Sequence, residues 1–262
     1  MQVAGQVVVV TGGAEGIGRA LCERFHREGA KAVVVADRNG EGAQAVAGRI
    51  GGIAAPCDVA NESDIIALVE ETERRVGPIA LFCSNAGVGD FGGARDEAAS
   101  ASNTAWERGF AINVMAHVYA ARALAPRMAA RGGGYFLHTV SAAGLLTQIG
   151  NAVYATTKHA AIGFAEILAI THRDQGIRVS VLCPQGVDTA LLRAAARGPE
   201  RLDGVLTVEA VADSVIEGLA AERFLILPHP QVLDYMRNKT NDYDRWLGGM
   251  AKLRRRLAAG EV

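Results

Sequence analysis

A glycine-rich stretch near the amino terminus constrains the fold more than any other part of this sequence. The β-branched run at residues 6–10 predicts a strand, and the amphipathic residues up to Gly29 predict a helix after the loop at residues 11–18. Glycine accepts positive φ angles and lets a backbone approach a ligand closely, while a helix amino terminus offers N–H groups and a positive dipole to phosphate. We therefore expect a pyrophosphate-binding loop lined by Gly12, Glu15, Gly16, Ile17 and Gly18.

Six further short apolar runs alternate with helical segments along the chain. They span residues 31–36, 53–57, 79–83, 135–140, 177–183 and 224–227. Such alternation predicts an α/β fold, a doubly wound parallel sheet of the Rossmann type with about seven strands flanked by helices. The length of 262 residues suits a single domain over residues 1–262. Within it, residues 188–206 would form a mobile substrate lid and residues 228–262 a carboxyl-terminal extension.

Acidic residues at two predicted strand ends bear on which dinucleotide binds. Asp37 follows Gly18 by 19 positions, where a carboxylate can accept hydrogen bonds from the adenosine ribose hydroxyls. It would repel a 2′-phosphate, so we expect NAD rather than NADP, although Arg38 could cover the adenine or contact a phosphate. Asp58 and Val59 close the third strand. Asp58 would either meet the adenine amino group or cap a helix or loop.

Two asparagines are the next candidates for the site. Asn85 opens the small-residue loop Asn85-Ala86-Gly87 after the fourth predicted strand, where open parallel sheets bind ligands. Asn113 lies in an apolar run, and a buried amide there needs hydrogen-bond partners. Its role could be structural, or it could hold a water molecule near the reaction.

A serine, a tyrosine and a lysine follow the fifth predicted strand. Ser141 ends that strand, Asn151 can cap the next helix, and Tyr154 and Lys158 are four residues apart on one helical face. A phenol has a pKa of about 10, and a nearby ammonium favours the phenolate. With a serine hydroxyl to hold a substrate oxygen, this set suits proton transfer to and from an alcohol or carbonyl oxygen.

Taken together, these motifs resemble the short-chain dehydrogenase/reductase family over roughly residues 5–190. The family pattern T-G-x-x-x-G-x-G is present as Thr11, Gly12, Gly16 and Gly18. Asn85, Ala86 and Gly87 match its N-A-G pattern. Its P-G-x-x-x-T pattern after strand six is matched at Pro184, Val187 and Thr189, but Gln185 replaces the glycine.

The resemblance implies a catalytic set of Asn113, Ser141, Tyr154 and Lys158. Tyr154 would be the acid/base, and Lys158 would lower its pKa and bind the nicotinamide ribose. Ser141 would orient the substrate oxygen, and Asn113 would hold a water molecule in the proton relay. Pro184 would border the nicotinamide, whose carboxamide Val187 and Thr189 would fix.

The function predicted is that of an NAD-dependent oxidoreductase interconverting a secondary alcohol and a ketone by hydride transfer. One alternative is an NADPH-dependent carbonyl reductase in which Arg38 tolerates the 2′-phosphate. The other is a nucleotide-binding module that retains the fold without catalysis, and the complete set of four catalytic residue types argues against it.

Composition indicates which partners to expect. The net charge of −1 argues against nucleic acid, and the histidines and cysteines lack a metal-ligand spacing. The four dispersed cysteines predict reduced thiols, and the amino terminus lacks the basic region of a signal peptide, so we expect a cytoplasmic protein. No apolar run approaches the ~20 residues of a membrane helix, so we expect no membrane partner.

Substrate specificity would lie in the loops at residues 88–102, 142–151 and 188–206. Their apolar content predicts a lipophilic small-molecule alcohol or ketone. The candidate pocket residues are Leu145, Leu146, Gln148, Val187, Leu191 and Leu192. The family resemblance also implies a homo-oligomer, a dimer or tetramer formed through helices at about residues 103–130 and 151–175.

Overall fold

The computed structural model describes residues 1–194 and 198–261, and seven parallel strands form its centre. In chain order they are β1 (Val7–Thr11), β2 (Ala32–Asp37), β3 (Ile53–Pro56), β4 (Ile79–Ser84), β5 (Gly134–Thr139), β6 (Ile177–Leu182) and β7 (Leu225–Ile226). They lie in the order β3-β2-β1-β4-β5-β6-β7, and every neighbouring pair is parallel. The predicted doubly wound sheet is confirmed, and each strand lies within one residue of its predicted bounds.

Helices cover both faces of the sheet. They are α1 (Gly16–Arg27), α2 (Gly40–Ile50), α3 (Glu62–Arg75), α4 (Asn103–Phe110), α5 (Ala116–Ala130), α6 (Ala152–His172), α7 (Ala190–Ala194), α8 (Val208–Ala220), α9 (Gln231–Asn241) and α10 (Tyr243–Ala258). One apolar core joins the sheet to α3, α5 and α6, and the other joins it to α1, α2 and α8. Alternate β1 residues show the division, because Val7 and Val9 enter the first core while Val8 and Val10 enter the second.

The carboxyl ends of four central strands place the predicted site residues at one edge. The strand order runs outward in opposite directions from β1 and β4, which creates a crevice between their carboxyl ends. The glycine loop follows β1 and Asn85 follows β4. Ser141 lies just after β5, and Pro184 lies just after β6. The parallel topology therefore brings segments more than one hundred residues apart to a common edge.

The long helical segment predicted near residues 103–131 is interrupted. A π-helical turn, Ala111–Met115, separates α4 from α5 and contains Asn113. Such turns disturb the regular hydrogen-bond pattern and are frequent at functional sites.

The remaining segments beyond β6 are partly helical. The proposed lid contains α7 and a 3₁₀ turn at Pro199–Arg201, while residues 195–197 of the predicted lid lie outside the described residues. The carboxyl-terminal extension folds into α9 and α10, and its start packs near the site through Val232, which is buried against Ala142 and Leu146. Among the described helices, none has both the length and the apolar character needed to cross a membrane.

Candidate active site

The glycine loop is shaped as a cradle that side chains would fill. Gly12 and Gly16 have φ angles of 65° and 54°, in the left-handed region that favours glycine. A Cβ atom at Gly12 would lie 2.9 Å from the Cα atom of Ala86, and one at Gly18 would overlap the carbonyl oxygen of Gly12. Glu15 precedes α1 in an extended conformation, and its exposed side chain does not cap the helix. The first N–H groups of α1 therefore face the loop without a side-chain partner.

The cradle has the space and the hydrogen-bond donors that a dinucleotide phosphate needs. Glycines clear the space, and uncapped N–H groups at the start of α1 supply donors for a pyrophosphate. Ile17, next to them, packs on the core of α1, α2 and α8 and helps to anchor the helix. The residues present therefore fit a dinucleotide phosphate group.

Asp37 is held in a fixed orientation at the end of β2. One of its carboxylate oxygens accepts a hydrogen bond of 3.0 Å from the backbone N–H of Ala14, and the other accepts one of 2.9 Å from that of Asn39. The side chain is thus anchored to the glycine loop, while Arg38 is exposed to solvent. This arrangement places a carboxylate beside the loop at the position where the adenosine ribose was expected.

Asp58 acts as a cap in this structure. Its carboxylate accepts a hydrogen bond of 3.0 Å from the backbone N–H of Ala60, and its own N–H donates to Asp64 at the start of α3. The neighbouring Val59 is buried in the core and fixes this turn. Of the two roles considered for Asp58, the capping role is the one that these contacts display.

Asn85 joins the ends of β4 and β1. Its side-chain amide donates to the carbonyl oxygen of Thr11 at 3.0 Å, and the backbone N–H groups of Asn85 and Ala86 donate to the Thr11 hydroxyl. Gly87 follows, and a Cβ atom there would lie 3.4 Å from Asn113 Oδ1 and 3.5 Å from Lys158 Nζ. The loop therefore links the glycine cradle to two of the predicted catalytic residues.

Asn113 is fully buried and bonded on both sides of its amide. Its Oδ1 accepts from the Val88 N–H at 3.0 Å, while its Nδ2 donates to the Val88 carbonyl and to the Thr157 hydroxyl. Thr157 in turn donates to the backbone carbonyl of Tyr154. The Asn113 side chain thus has the structural role that was one of its two predicted options, and it positions α6 through Thr157.

Ser141, Tyr154 and Lys158 meet at the start of α6. The Asn151 side chain caps this helix by accepting from the Tyr154 N–H at 3.1 Å, which confirms the predicted cap. The Ser141 hydroxyl donates to the Pro184 carbonyl at 3.5 Å and accepts from the Ala143 N–H at 3.1 Å, and it lies close enough to the Tyr154 phenol to lower the phenol's pKa. Lys158 Nζ lies 5.5 Å from the centre of the Tyr154 ring and donates to the Thr139 carbonyl at 3.4 Å.

Burial controls the protonation of this group of residues. It raises the pKa of Tyr154 above its ordinary value, and the nearby Ser141 hydroxyl lowers that pKa by a smaller amount. It also lowers the pKa of Lys158 to about 8. The shift of the Tyr154 pKa is opposite to the expected direction, because the loss of hydration destabilises the phenolate more than the neighbouring groups stabilise it.

The loop after β6 closes the other side of the site. Thr189 lies against Gly16, its Cγ2 being 3.4 Å from a Cβ atom built there, and its hydroxyl donates to the Val187 carbonyl. The Pro184 carbonyl accepts from the Ala142 N–H, so this loop is tied to the loop after Ser141. At the unusual Gln185, the backbone N–H donates to Nδ1 of His229 at 3.2 Å. The segment before α9 therefore supports the altered loop.

Sequence reasoning assigned Thr11 only to the glycine pattern and gave no role to Thr139, Thr157 or His229. The three threonines make hydrogen bonds that fix predicted site residues, and His229 fixes the neighbouring Gln185. Thr11 lies within the glycine motif, and Thr139 and Thr157 lie two and one residues before Ser141 and Lys158, which is a weak signal. The contact from His229 depends on the tertiary path of the chain, which local sequence does not reveal. His159 is hydrogen-bonded to the Ala155 carbonyl and to Lys239.

Comparison with known proteins agrees with this geometry. The fold and the glycine cradle define an α/β nucleotide-binding protein. A family model described as short chain dehydrogenase matches residues 6–200, well over half of the chain. The chain belongs to the short-chain dehydrogenase/reductase family.

Individual relatives match over most of their length. A 1-deoxy-11-beta-hydroxypentalenate dehydrogenase of Streptomyces exfoliatus is 33% identical over 258 residues, covering 92% of this chain and 90% of that protein. Epidermal retinol dehydrogenase 2 of Homo sapiens is 28% identical, covering 89% and 77%. Among solved structures, a short chain dehydrogenase/reductase from Burkholderia phymatum in complex with NAD superimposes with a TM-score of 0.82 at 28% identity, covering 93% of this chain and 96% of that one.

Proposed function

We propose that this protein is an NAD-dependent dehydrogenase that interconverts a secondary alcohol and a ketone. The observation that carries the proposal is the meeting of Ser141, Tyr154 and Lys158 at the sheet edge, beside a cradle that fits a dinucleotide. Membership of the family supports the broader class, an oxidoreductase acting on CH–OH groups.

In the proposed reaction, the chain orients the substrate and moves one proton. The Ser141 hydroxyl holds the substrate oxygen, and the Tyr154 phenol exchanges a proton with it. When bound in the cradle, a nicotinamide cofactor would supply or accept the hydride. The ammonium of Lys158 would stabilise the phenolate and bind the nicotinamide ribose, while Asn113 would hold a relay water.

The raised pKa of Tyr154 has a consequence for the direction of the reaction. A phenol that stays protonated at neutral pH is ready to donate to a ketone oxygen. Oxidation of an alcohol needs the phenolate, so its rate should rise with pH through the Tyr154 pKa.

We infer NAD as the cofactor from the position of Asp37. Its carboxylate is held by Ala14 and Asn39 and would accept hydrogen bonds from the two ribose hydroxyls. A 2′-phosphate would meet this anion at close range. A related structure contains NAD, which is consistent with the proposal. The competing NADPH-dependent reductase would need Arg38 to outweigh Asp37, and a titration with both cofactors separates the two.

We propose a lipophilic small molecule as the substrate. The loop after Ser141 contributes Leu145 and Leu146, and α7 contributes Leu192; Leu146 and Leu192 are buried. Leu191 packs beside Gly89 and would border the entrance. The two relatives named above are both dehydrogenases named for a hydroxyl compound, the first of them a hydroxy carboxylate, which supports an alcohol as the substrate.

We also propose a homo-oligomer in the cytoplasm. All four cysteines are unpaired and buried, which suits a reducing compartment. We further propose that residues 1–262 form a single domain. Residues 188–206 would act as a lid over bound substrate.

Absorbance of reduced nicotinamide provides the test. The protein would be mixed with NAD or NADP and a panel of secondary alcohols, and we expect NADH formation with at least one lipophilic alcohol. Tyr154→Phe should then reduce turnover by about 10²- to 10⁴-fold, the range of general acid–base catalysis, while NAD still binds.

The matched control is Tyr119→Phe on α5, which should keep full activity. Unchanged turnover in Tyr154→Phe would overturn the acid/base assignment. No turnover of any alcohol or ketone with either cofactor, despite tight NAD binding, would favour the non-catalytic nucleotide-binding module.

A further inference from the structure

A hydrogen bond spans the entrance to the site between two loops far apart in sequence. Gln148 Nε2, in the loop after Ser141, donates to Glu200 Oε2 at 2.9 Å. Glu200 lies in the 3₁₀ turn Pro199–Arg201 of the lid segment, and both side chains are half-buried. A carboxylate therefore joins the lid segment to the loop that follows Ser141.

The position of Glu200 is set by the loop after β6. Gly186 is buried, and a Cβ atom there would lie 2.5 Å from the Glu200 backbone carbonyl, so only glycine allows this approach. The neighbouring Gln185 N–H is held by His229. Because the same loop continues to Val187 and Thr189, Glu200 is fixed relative to the proposed nicotinamide site.

The negative charge of Glu200 acts on the Tyr154 phenol. It is one of the groups that raise the pKa of Tyr154, although burial has the larger effect. The described contacts of Glu200 pair it with the neutral amide of Gln148 and not with a cation. A negative charge that acts on the Tyr154 phenol will also act on any charge carried by a substrate bound at that phenol.

Other charged groups near the entrance have their own partners. Arg201 donates to the Leu192 carbonyl, and Lys239 donates to the carbonyls of Leu145 and Leu146. Asp203 accepts from the Tyr235 hydroxyl, and the Arg95 side chain packs against Gly150. Among the residues that the structure describes, these contacts leave Glu200 as the carboxylate placed to interact with the substrate.

We propose that Glu200 selects substrates by charge and hydrogen bonding. It disfavours alcohols that carry a carboxylate or phosphate near the reacting carbon, and it favours neutral or cationic alcohols with a second hydroxyl or amine donor. Such a donor takes the place of the Gln148 amide on the carboxylate. The inference rests on the proposed function, since it names the substrate class of the same site.

Three matched alcohols test the inference. They are 1-phenylethanol, its para-carboxylate and its para-aminomethyl derivative, each compared by kcat/KM with NAD. We expect the wild-type protein to use the carboxylate at least tenfold less well than the other two. Glu200→Gln should raise kcat/KM for the carboxylate about tenfold, lower it for the ammonium compound, and change 1-phenylethanol less than threefold.

The control is Glu217→Gln, which makes the same charge change at an exposed position of α8 and should leave all three values unchanged. Equal use of the three alcohols by the wild-type protein, or equal changes for all three in Glu200→Gln, would overturn the inference.

Failure of the proposed function gives a different result. In that case none of the alcohols is oxidised, and the corresponding acetophenones are titrated into the protein–NAD mixture by calorimetry. Charge selection would be supported if the wild-type protein bound the carboxylate compound more weakly than the other two and if Glu200→Gln abolished that difference. Identical dissociation constants for the three compounds would contradict it.

Discussion

Gly18 shows at the residue scale how the absence of a side chain creates a binding surface. A Cβ atom there would overlap the Gly12 carbonyl and lie 2.6 Å from Asn85 Nδ2, an atom that ties β4 to β1. The glycine is therefore required by backbone contacts, and its replacement must move the loop.

We expect Gly18→Ala to destabilise the protein by about 1–3 kcal/mol through overpacking and to weaken NAD binding at least tenfold. Gly48→Ala is the matched control, because Gly48 is exposed on α2 with no atom within 4 Å of an added Cβ. That substitution should stabilise α2 by up to about 1 kcal/mol. Thermal unfolding and an NAD titration of both variants measure the effects, and equal behaviour of the two would contradict the steric argument.

At the scale of elements, two buried histidines join α5 to β5 beneath the site. Nδ1 of His117 on α5 and Nδ1 of His138 on β5 are 2.9 Å apart, so one ring must donate and the other accept. Burial lowers the pKa of both rings, that of His138 to about 3. The pair is therefore neutral at pH 7 and links the helix that follows Asn113 to the strand that precedes Ser141.

This pair should make the protein sensitive to acid. An unfolded histidine titrates near 6.5, above both folded pKa values, so the stability is complete above pH 6.5 and declines as pH falls towards 3. By pH 5, each ring that stays neutral in the folded protein lowers the free energy of unfolding by about 2 kcal/mol. The double variant His117→Leu/His138→Leu should lose less stability between pH 7 and pH 5 than the wild type does.

Urea unfolding at the two pH values measures that difference, with the surface variant His172→Leu as the control. The pair would not be the cause if the double variant showed the same loss as the wild type.

At the scale of the whole molecule, α6 leaves an apolar strip on the surface. Ile167 and Ile170 are 55% and 73% exposed, and three residues apart they share one face of the helix. Such a strip suits contact with a second copy through the helices that the family resemblance indicated.

We expect light scattering to show a dimer or tetramer, and Ile167→Lys/Ile170→Lys to shift it towards monomer. Ile66→Lys on α3, where the side chain is 40% exposed, serves as the control and should leave the assembly intact. A wild-type protein that is monomeric at all concentrations would refute the proposed oligomer.

The sequence by itself determined the sheet and the main outline of the candidate site. Short β-branched runs, glycine punctuation and the Asn151 cap are local signals, and the alternation of strand and helix leaves few topologies open. Parallel strands then bring their carboxyl ends to one edge, so Asn85, Ser141 and Tyr154 could be grouped from their order alone.

Only the tertiary structure decided the contacts between distant segments. The π-turn at Asn113, the support of Gln185 by His229 and the bond between Gln148 and Glu200 join residues that no local pattern connects. The direction of the Tyr154 pKa shift likewise depends on burial, because the cost of removing a charge from water is set by the surrounding fold and not by a neighbour four residues away.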